Sequence, residues 1–216
     1  MLNKGVSFDD IHSYYDLSLI LSASEIPPAK PKTTYVNVPG ADGSLDLSEV
    51  HGEVKFSDRE LKFTFTIMPD ASETFEEKRT AVVNALSGKR CKITLDRDEE
   101  YYFDGRCSID SYKADKNHHQ LVVKVTAHPY KLKQELTRKT INLTSTATSA
   151  KIANGRKTVV PTIICTGETT IVFGGGEYKL SSGSHKILDI EFKEGNNEVA
   201  VSGSGAVTFE FREGEL

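Results

Sequence analysis

The chain has 216 residues, of which 38% are hydrophobic, with 31 acidic and 27 basic side chains and a formal net charge of −4. This length fits one large or two ordinary domains, and either can bury a core. No block of Lys and Arg is present that would neutralise phosphates, which argues against specific nucleic-acid binding. No stretch approaches the roughly 20 apolar residues of a membrane span, so no membrane partner is expected.

The cysteines, Cys91, Cys107 and Cys165, form no CxxC pair, and their odd number argues against a disulfide framework. Cys91 and Cys165 fall on the apolar phase of strand-like segments, where cysteine behaves as a small buried hydrophobe. The first ten residues contain no apolar core of signal-peptide length. We therefore expect the protein to be synthesised and folded in a reducing cytoplasm.

The first third of the chain predicts short strands around a proline-rich connection. The expected strands are Leu17–Ser22, Thr34–Val38 and Leu61–Ile67. Three prolines in Ile26–Lys32 exclude that segment from the interior of a sheet, and Asp42-Gly43 is a turn signal. The segment Leu61–Ile67 alternates strictly, with four apolar residues on one face, which indicates a half-buried strand.

One helix is predicted after this strand. Asp70 is its expected N-cap, Glu73 would complete a capping box, and Gly88 would supply the left-handed stop. An apolar stripe at helical spacing supports a helix of about four to five turns. The stripe consists of Ala71, Phe75, Val82 and Leu86.

Strand patterns resume after the helix and continue to the C-terminus. In the first domain they are Cys91–Leu95, Tyr101–Phe103, Arg106–Tyr112 and Leu121–Ala127, with polar hairpin tips at 96–100 and 114–120. Alternation stops after Ala127, which places a domain boundary near residues 130 to 140. The second domain alternates in short segments separated by Gly-rich turns, as in an antiparallel sandwich. These segments are Thr140–Leu143, Thr158–Ile164, Thr169–Phe173, Glu177–Leu180, Ile187–Phe192, Glu198–Val201 and Val207–Phe211. Pro161 predicts that its strand lies at a sheet edge.

Candidate chemical groups all have a simpler structural interpretation. The acidic tip formed by Asp96, Asp98, Glu99 and Glu100 could bind a divalent cation, but it lacks the spacing of a calcium loop, which favours a solvated hairpin tip. Neighbouring His118 and His119 would point to opposite sides of an extended chain. Gly174–Gly176 is not followed by the Lys-Ser or Lys-Thr of a phosphate loop.

Catalysis and sugar binding find little support in the residues. Glu191, Glu198 and Glu210 occupy outward strand phases, and no GxSxG turn is present. Sugar sites usually need an exposed aromatic platform, and the chain contains no Trp. The aromatic residues that could substitute are Tyr112, Phe173 and Tyr178. We expect no enzyme activity, cofactor or metal. A carbohydrate-binding accessory module of a cell-wall-active protein is kept as the alternative to the structural function that the next observations favour.

Several segments, in their order, resemble the distal tail proteins of long-tailed (siphovirus) bacteriophages and prophages. In the first part these are Tyr35–Asp46, Leu61–Ile67, Ala71–Leu86 with Gly88, and Ala127–Lys131. In the second part they are Asn154-Gly155, Pro161–Ile163, Gly195–Asn197, Gly203–Gly205 and Phe209–Arg212. Each segment alone is a weak signature, but together they cover nearly the whole chain. The chain has no long insertion in either part, and in this it resembles the short members of the family.

The resemblance implies a mainly β fold in two domains. Residues 1–134 would form a tail-tube-like domain with one helix, which closes as a six-membered ring around the DNA passage. Residues 135–216 would form a galectin-like β-sandwich. Family members form the baseplate hub at the virion tail tip. The implied partners are further copies of the chain, the tail tube protein, the tail-associated fibre or lysin protein, and a receptor-binding protein.

Two expectations about the ring follow. Strand edges can be satisfied by the next subunit, so Leu17–Phe56, and within it Tyr35, Val36 and Val38, is expected to supply part of the subunit contact. A passage for DNA must not bind phosphate tightly. We therefore expect an acidic tip, with Asp96, Asp98, Glu99 and Glu100 as the best candidates, to face the channel, and the outer wall of the ring is the alternative position.

Overall fold

The computed structural model describes residues 5–50, 52–67, 74–115 and 118–216, and divides the chain into two compact units, Met1–Lys131 and Leu132–Leu216. Strands are numbered β1 to β19 in chain order. The first unit contains β1 (Val6–Phe8), β2 (Ile11–His12), β3 (Leu19–Glu25), β4 (Tyr35–Asn37), β5 (Ser44–Asp46), β6 (Arg59–Ile67), α1 (Phe75–Leu86), β7 (Arg90–Leu95), β8 (Asp98–Asp115) and β9 (His118–Ala127).

The main sheet of the first unit is antiparallel, in the order β2-β1-β7-β8-β9-β6-β3. Strand β6 shows how this sheet covers its core. Its alternate residues are buried, and Leu61, Phe63 and Phe65 are fully inaccessible to solvent. Period-two alternation turns these side chains to one face and the polar ones to the other. The helix α1 contributes Val82 and Leu86 to the same core.

The helix begins later than the sequence predicted. Thr74 is extended (φ −85°, ψ 158°) and caps α1: its Oγ1 accepts from the Glu77 N–H, and the Glu77 carboxylate accepts from the Thr74 N–H at 2.9 Å. The N-cap prediction at Asp70 was therefore wrong, because a second capping box, Thr74-Phe75-Glu76-Glu77, begins the helix. Asp70, Ala71 and Glu73 lie outside the described residues. The left-handed stop at Gly88 is confirmed by its φ of +77°.

Strand β8 unites two predicted strands. Asp104 and Gly105 continue the strand between Tyr101–Phe103 and Arg106–Tyr112. A Cβ at Gly105 would lie 2.9 Å from the Ala127 Cα, closer than atoms normally approach. Glycine here allows β8 and β9 to pair closely, and it does not end the strand.

The remaining strands are β10 (Lys131–Lys133), β11 (Thr137–Asn142), β12 (Thr148–Asn154), β13 (Thr162–Cys165), β14 (Thr169–Phe173), β15 (Gly176–Leu180), β16 (Gly183–Lys186), β17 (Gly195–Gly203), β18 (Ala206–Phe211) and β19 (Gly214–Glu215). The second unit has two four-stranded antiparallel sheets, β11-β18-β13-β16 and β12-β17-β14-β15. Both contribute to one core, with Ile163 and Phe209 from the first and Ile171 and Val201 from the second. The predicted sandwich is confirmed.

Two predictions in the second unit were wrong. Strand β13, which follows Pro161, is not an edge: it pairs with both β16 and β18. Because β13 begins at Thr162, Pro161 itself needs no ladder donor. Ile187–Phe192 is not a strand. Ile190 and Phe192 are buried, but the segment pairs only through a single bridge between Phe192 and Val159. Alternate burial of a loop produces the same apolar pattern as a strand.

Candidate functional site

A two-stranded arm, defined here as residues 30–57, stands outside the main sheet of the first unit. At its base the Lys32 N–H donates to the Lys55 carbonyl at 2.7 Å, and the Ser57 N–H donates to the Lys30 carbonyl at 2.9 Å. Further along, β4 and β5 form a separate two-stranded sheet. The Asp42-Gly43 turn signal lies at its tip, where Gly43 has a φ of +77°.

The arm presents an uncovered apolar face. Every residue from 30 to 46 is exposed. Val36 and Leu45 are direct cross-strand partners, 43% and 54% exposed, and Val38, two residues beyond Val36, is 45% exposed. A two-stranded hairpin is at best marginally stable in water without a covering layer. Exposed apolar surface of this kind marks interaction sites.

The opposite face of the arm is polar. Ser44 Oγ donates to Asn37 Oδ1 at 2.6 Å, and the Asp46 carboxylate accepts from the Ser48 N–H at 2.9 Å. Hydrogen bonds from Ser48, first from its Oγ and then from its N–H, lower the pKa of Asp46. Tyr35 lies on this face and is 61% exposed. The two faces therefore differ in chemistry, as expected of a docking element with one preferred side.

The predicted acidic tip is divided by the structure. Only Asp96 and Arg97 form the turn between β7 and β8, so the hairpin tip is shorter than predicted, because Asp98, Glu99 and Glu100 already belong to β8. The Asp96 carboxylate accepts from the Gly5 N–H at 2.5 Å and contacts His12 Nε2 at 3.2 Å. Asp98 accepts from Lys131 Nζ at 2.9 Å.

Two of the four carboxylates of this tip are therefore engaged within the unit. Glu99 and Glu100 are exposed beside exposed Arg97. The charge that the tip offers to its surroundings is smaller than its sequence suggests.

A charged network missed by sequence reasoning lines a cleft of about 200 Å³ in the first unit. Arg90 donates two hydrogen bonds to Asp104, each at 2.7 Å, and lies 3.0 Å from His128 Nε2. The hydrogen bonds from Arg90 lower the pKa of Asp104. Asp104 and His128 are 14 and 38 positions from Arg90 in the sequence, so no local pattern reveals the network. Because each cation faces an anion or an acceptor, the arrangement is that of a surface ion-pair network.

The aromatic residues considered for sugar binding pack against cores. Tyr112 is half-buried, and its hydroxyl hydrogen-bonds to His119 Nδ1. Phe173 and Tyr178 pack against the core of the second unit. His119 stacks on Phe75 at 3.7 Å between ring centroids.

The three cysteines are buried, and burial raises the pKa of the Cys107 thiol to about 12. Cys107 also lies near Cys91, which acts in the same direction. Over the described ranges there is no group of three His, Cys, Asp or Glu side chains arranged to hold a metal ion. No described helix is long and apolar enough to cross a membrane.

No protein-family model matches this chain, and no match was found among curated proteins. Its two-unit, mainly β fold is shared with a phage protein of known structure. Specifically, the chain is similar to the crystal structure of Dit of phage SPP1, described as a paradigm of the hub adsorption apparatus in phages infecting Gram-positive bacteria. The TM-score is 0.69 at 16% identity, over 99% of each chain. The fold expected from the resemblance is confirmed.

A weaker likeness relates the chain to the baseplate of phage p2 in its activated conformation with strontium. The TM-score is 0.41 at 8% identity, over 97% of each chain. This value is too low to support an argument.

Proposed function

We propose that this protein is a distal tail protein of a long-tailed phage or prophage, a structural component of the virion tail tip. It forms a ring that joins the tail tube to the host-adsorption apparatus. The observation that carries the proposal is an exposed arm with an uncovered apolar face, on a chain similar to a hub protein over its whole length. A monomeric module has no use for such an arm, whereas a ring subunit has a neighbour to cover it.

The ring contact is assigned to Leu17–Phe56. A closed ring needs unlike faces on each subunit, so that every copy both donates and accepts. Val36 and Val38, together with Leu45, supply the donating apolar face, and Tyr35 contributes from the opposite face of the same strand. The proposed outside partners are the tail tube protein, the fibre or lysin protein, and a receptor-binding protein.

The acidic tip is proposed to face the channel. Glu99 and Glu100 are its exposed carboxylates, Asp96 is hydrogen-bonded by Gly5 and His12, and the charge of Asp98 is partly offset by Lys131. Repeated around the ring, this collar would repel the DNA backbone over the 8–10 Å screening length of physiological salt. A structure of the assembled ring with this hairpin on the outer wall, and a basic lumen in its place, would contradict the assignment.

The proposal is tested by the mass of the purified protein in solution, measured by light scattering and native mass spectrometry over a range of concentrations. We expect a species of six protomers whose population rises with concentration. Binding to purified cell-wall polysaccharide is measured in parallel, because it is the property of the alternative carbohydrate-binding module. A protein that stays monomeric at every concentration and binds the polysaccharide would overturn the ring in favour of that module.

A further inference from the structure

The exposed apolar side chains of the first unit fall in two segments. Within the part of this unit that the structure describes, every large hydrophobic residue that is exposed lies between residues 14 and 20 or between residues 35 and 50. The second segment is the arm. The first contains Tyr14, Tyr15 and Ile20, which are 38%, 76% and 39% exposed, and we call these three residues the tyrosine patch.

The tyrosine patch is built on a firmly held loop. Ser13 is fully buried: its N–H donates to the Val6 carbonyl at 2.9 Å, its Oγ accepts from the Val6 N–H at 3.1 Å, and its carbonyl accepts from the Leu19 N–H at 2.8 Å. These three bonds fix the start of the loop against β1 and β3.

His12 holds the two tyrosines. Its Nδ1 accepts from the Tyr14 and Tyr15 N–H groups at 3.1 and 3.2 Å, and its ring packs on Tyr15 at 4.6 Å between centroids. Exposed aromatic side chains that are already ordered lose little conformational entropy when a partner covers them. The patch is therefore prepared for docking.

Ile20 extends the patch onto a free sheet edge. It lies on β3, which ends the main sheet and pairs with β6 alone among the described strands. The outer edge of such a strand carries backbone groups that an added strand can satisfy. The arm is itself a two-stranded ribbon and can supply that strand.

The segment that carries the tyrosine patch and the first strand of the arm have opposite charges. Residues 5–29, which include the patch and β3, contain four carboxylates, Asp9, Asp10, Asp16 and Glu25, and no Lys or Arg. Residues 30–38, the first strand of the arm, contain Lys30 and Lys32 and no carboxylate. Lys30 and Lys32 therefore attract the acidic segment 5–29, whereas patch-to-patch contact would bring its four carboxylates against four of the same charge. The rest of the arm carries Asp42, Asp46, Glu49 and Glu53 against Lys55, so this attraction is confined to the first strand and its base.

We propose that the arm of one copy docks on the tyrosine patch of a second copy, with Val36, Val38 and Leu45 covering Tyr14, Tyr15 and Ile20. This inference rests on the proposed ring, because head-to-tail contact between unlike surfaces is what closes a ring. The occupant of the patch is thus a second copy of this chain.

The test mixes two single-cysteine variants, Leu45→Cys and Tyr15→Cys, carrying tags of different size, and treats them with a short bis-maleimide. Both positions are exposed, so each variant is expected to fold, and this is checked by thermal melting. The native cysteines are all buried, and the unsubstituted chain shows their background. Leu188→Cys, at a position that is 73% exposed in the second unit, replaces Tyr15→Cys in the control mixture.

The expected result is a crosslinked heterodimer of the two variants as the main product, with the Leu188→Cys mixture at background. A second pair, Val38→Cys with Ile20→Cys, should behave in the same way. Homodimers of Leu45→Cys in excess of the heterodimer would overturn the inference in favour of arm-to-arm contact. A six-protomer mass without the heterodimer would overturn this docking assignment and leave the ring standing. Loss of both the oligomer and the heterodimer, at the highest soluble concentration, would count against the ring as well.

Discussion

Replacing Leu45 by serine separates the role of the arm in assembly from its role in folding. Leu45 is 54% exposed in the single chain, so the substitution removes little packing from the fold. Full burial of a leucine side chain contributes about 1.5–3 kcal/mol, so covering its exposed half contributes about 1 kcal/mol at each subunit contact. That weakens each contact about fivefold, and a ring of six contacts loses about 6 kcal/mol in total.

The assay is the concentration dependence of the six-protomer species in native mass spectrometry, with thermal melting as the measure of folding. The matched control is Leu188→Ser, the same substitution at a more exposed position of the second unit. We expect Leu45→Ser to lose the ring at concentrations where the control retains it, while both melt like the unsubstituted chain. An unchanged ring population in Leu45→Ser would show that the apolar face of the arm does not contribute to assembly.

Three further predictions concern the arm, the sandwich and the surface network. Val36→Pro removes a backbone donor from β4, and it should weaken assembly while leaving the melting of the second unit unchanged; equal loss of both would contradict it. Asn197 is buried and hydrogen-bonds four backbone groups, so Asn197→Ala should cost about 1–3 kcal/mol in a denaturant titration, whereas exposed Asn196→Ala should have little effect. Arg90 lowers the pKa of Asp104 in the folded state. The stabilisation of the fold by this ion pair is therefore fully present above the unfolded pKa of about 3.9, and it is lost as the pH falls through the lower folded pKa. In Asp104→Asn the melting temperature should therefore fall less on acidification than in the unsubstituted chain. The same fall in both proteins would show that the Arg90–Asp104 pair does not stabilise the fold.

Local sequence predicted those elements whose environment follows from their neighbours in the chain. Leu61–Ile67 alternates because one side of β6 faces the core, and Gly174 and Gly175, with φ of +57° and +83°, make the tight turn between β14 and β15. Prediction from the sequence failed where segments far apart in the chain decide how a strand is paired. Pro161 precedes an interior strand because β16 and β18 arrive from elsewhere. Ile187–Phe192 alternates as a strand does but, among the residues that the structure describes, pairs through one bridge alone.

The candidate site was only half predictable. The sequence predicts Tyr35, Val36 and Val38 as an inter-subunit strand from the family resemblance, but their pattern does not differ from that of a strand in the main sheet. Leu45 entered the site because the register places it opposite Val36. The tyrosine patch left no signal in the sequence, since two adjacent tyrosines are as compatible with a core as with a surface.

The sequence by itself determined the mainly β character of the chain and the face that its alternating strands bury. These properties depend on side-chain period and turn residues, which act between near neighbours. The tertiary structure alone decided which strands lie side by side and which carboxylates are hydrogen-bonded. His12 reaches Asp96 across 84 positions, and Lys131 reaches Asp98 across 33. It also decided that the arm joins no larger sheet, because burial depends on contacts between segments far apart in the chain, and no local pattern specifies those contacts.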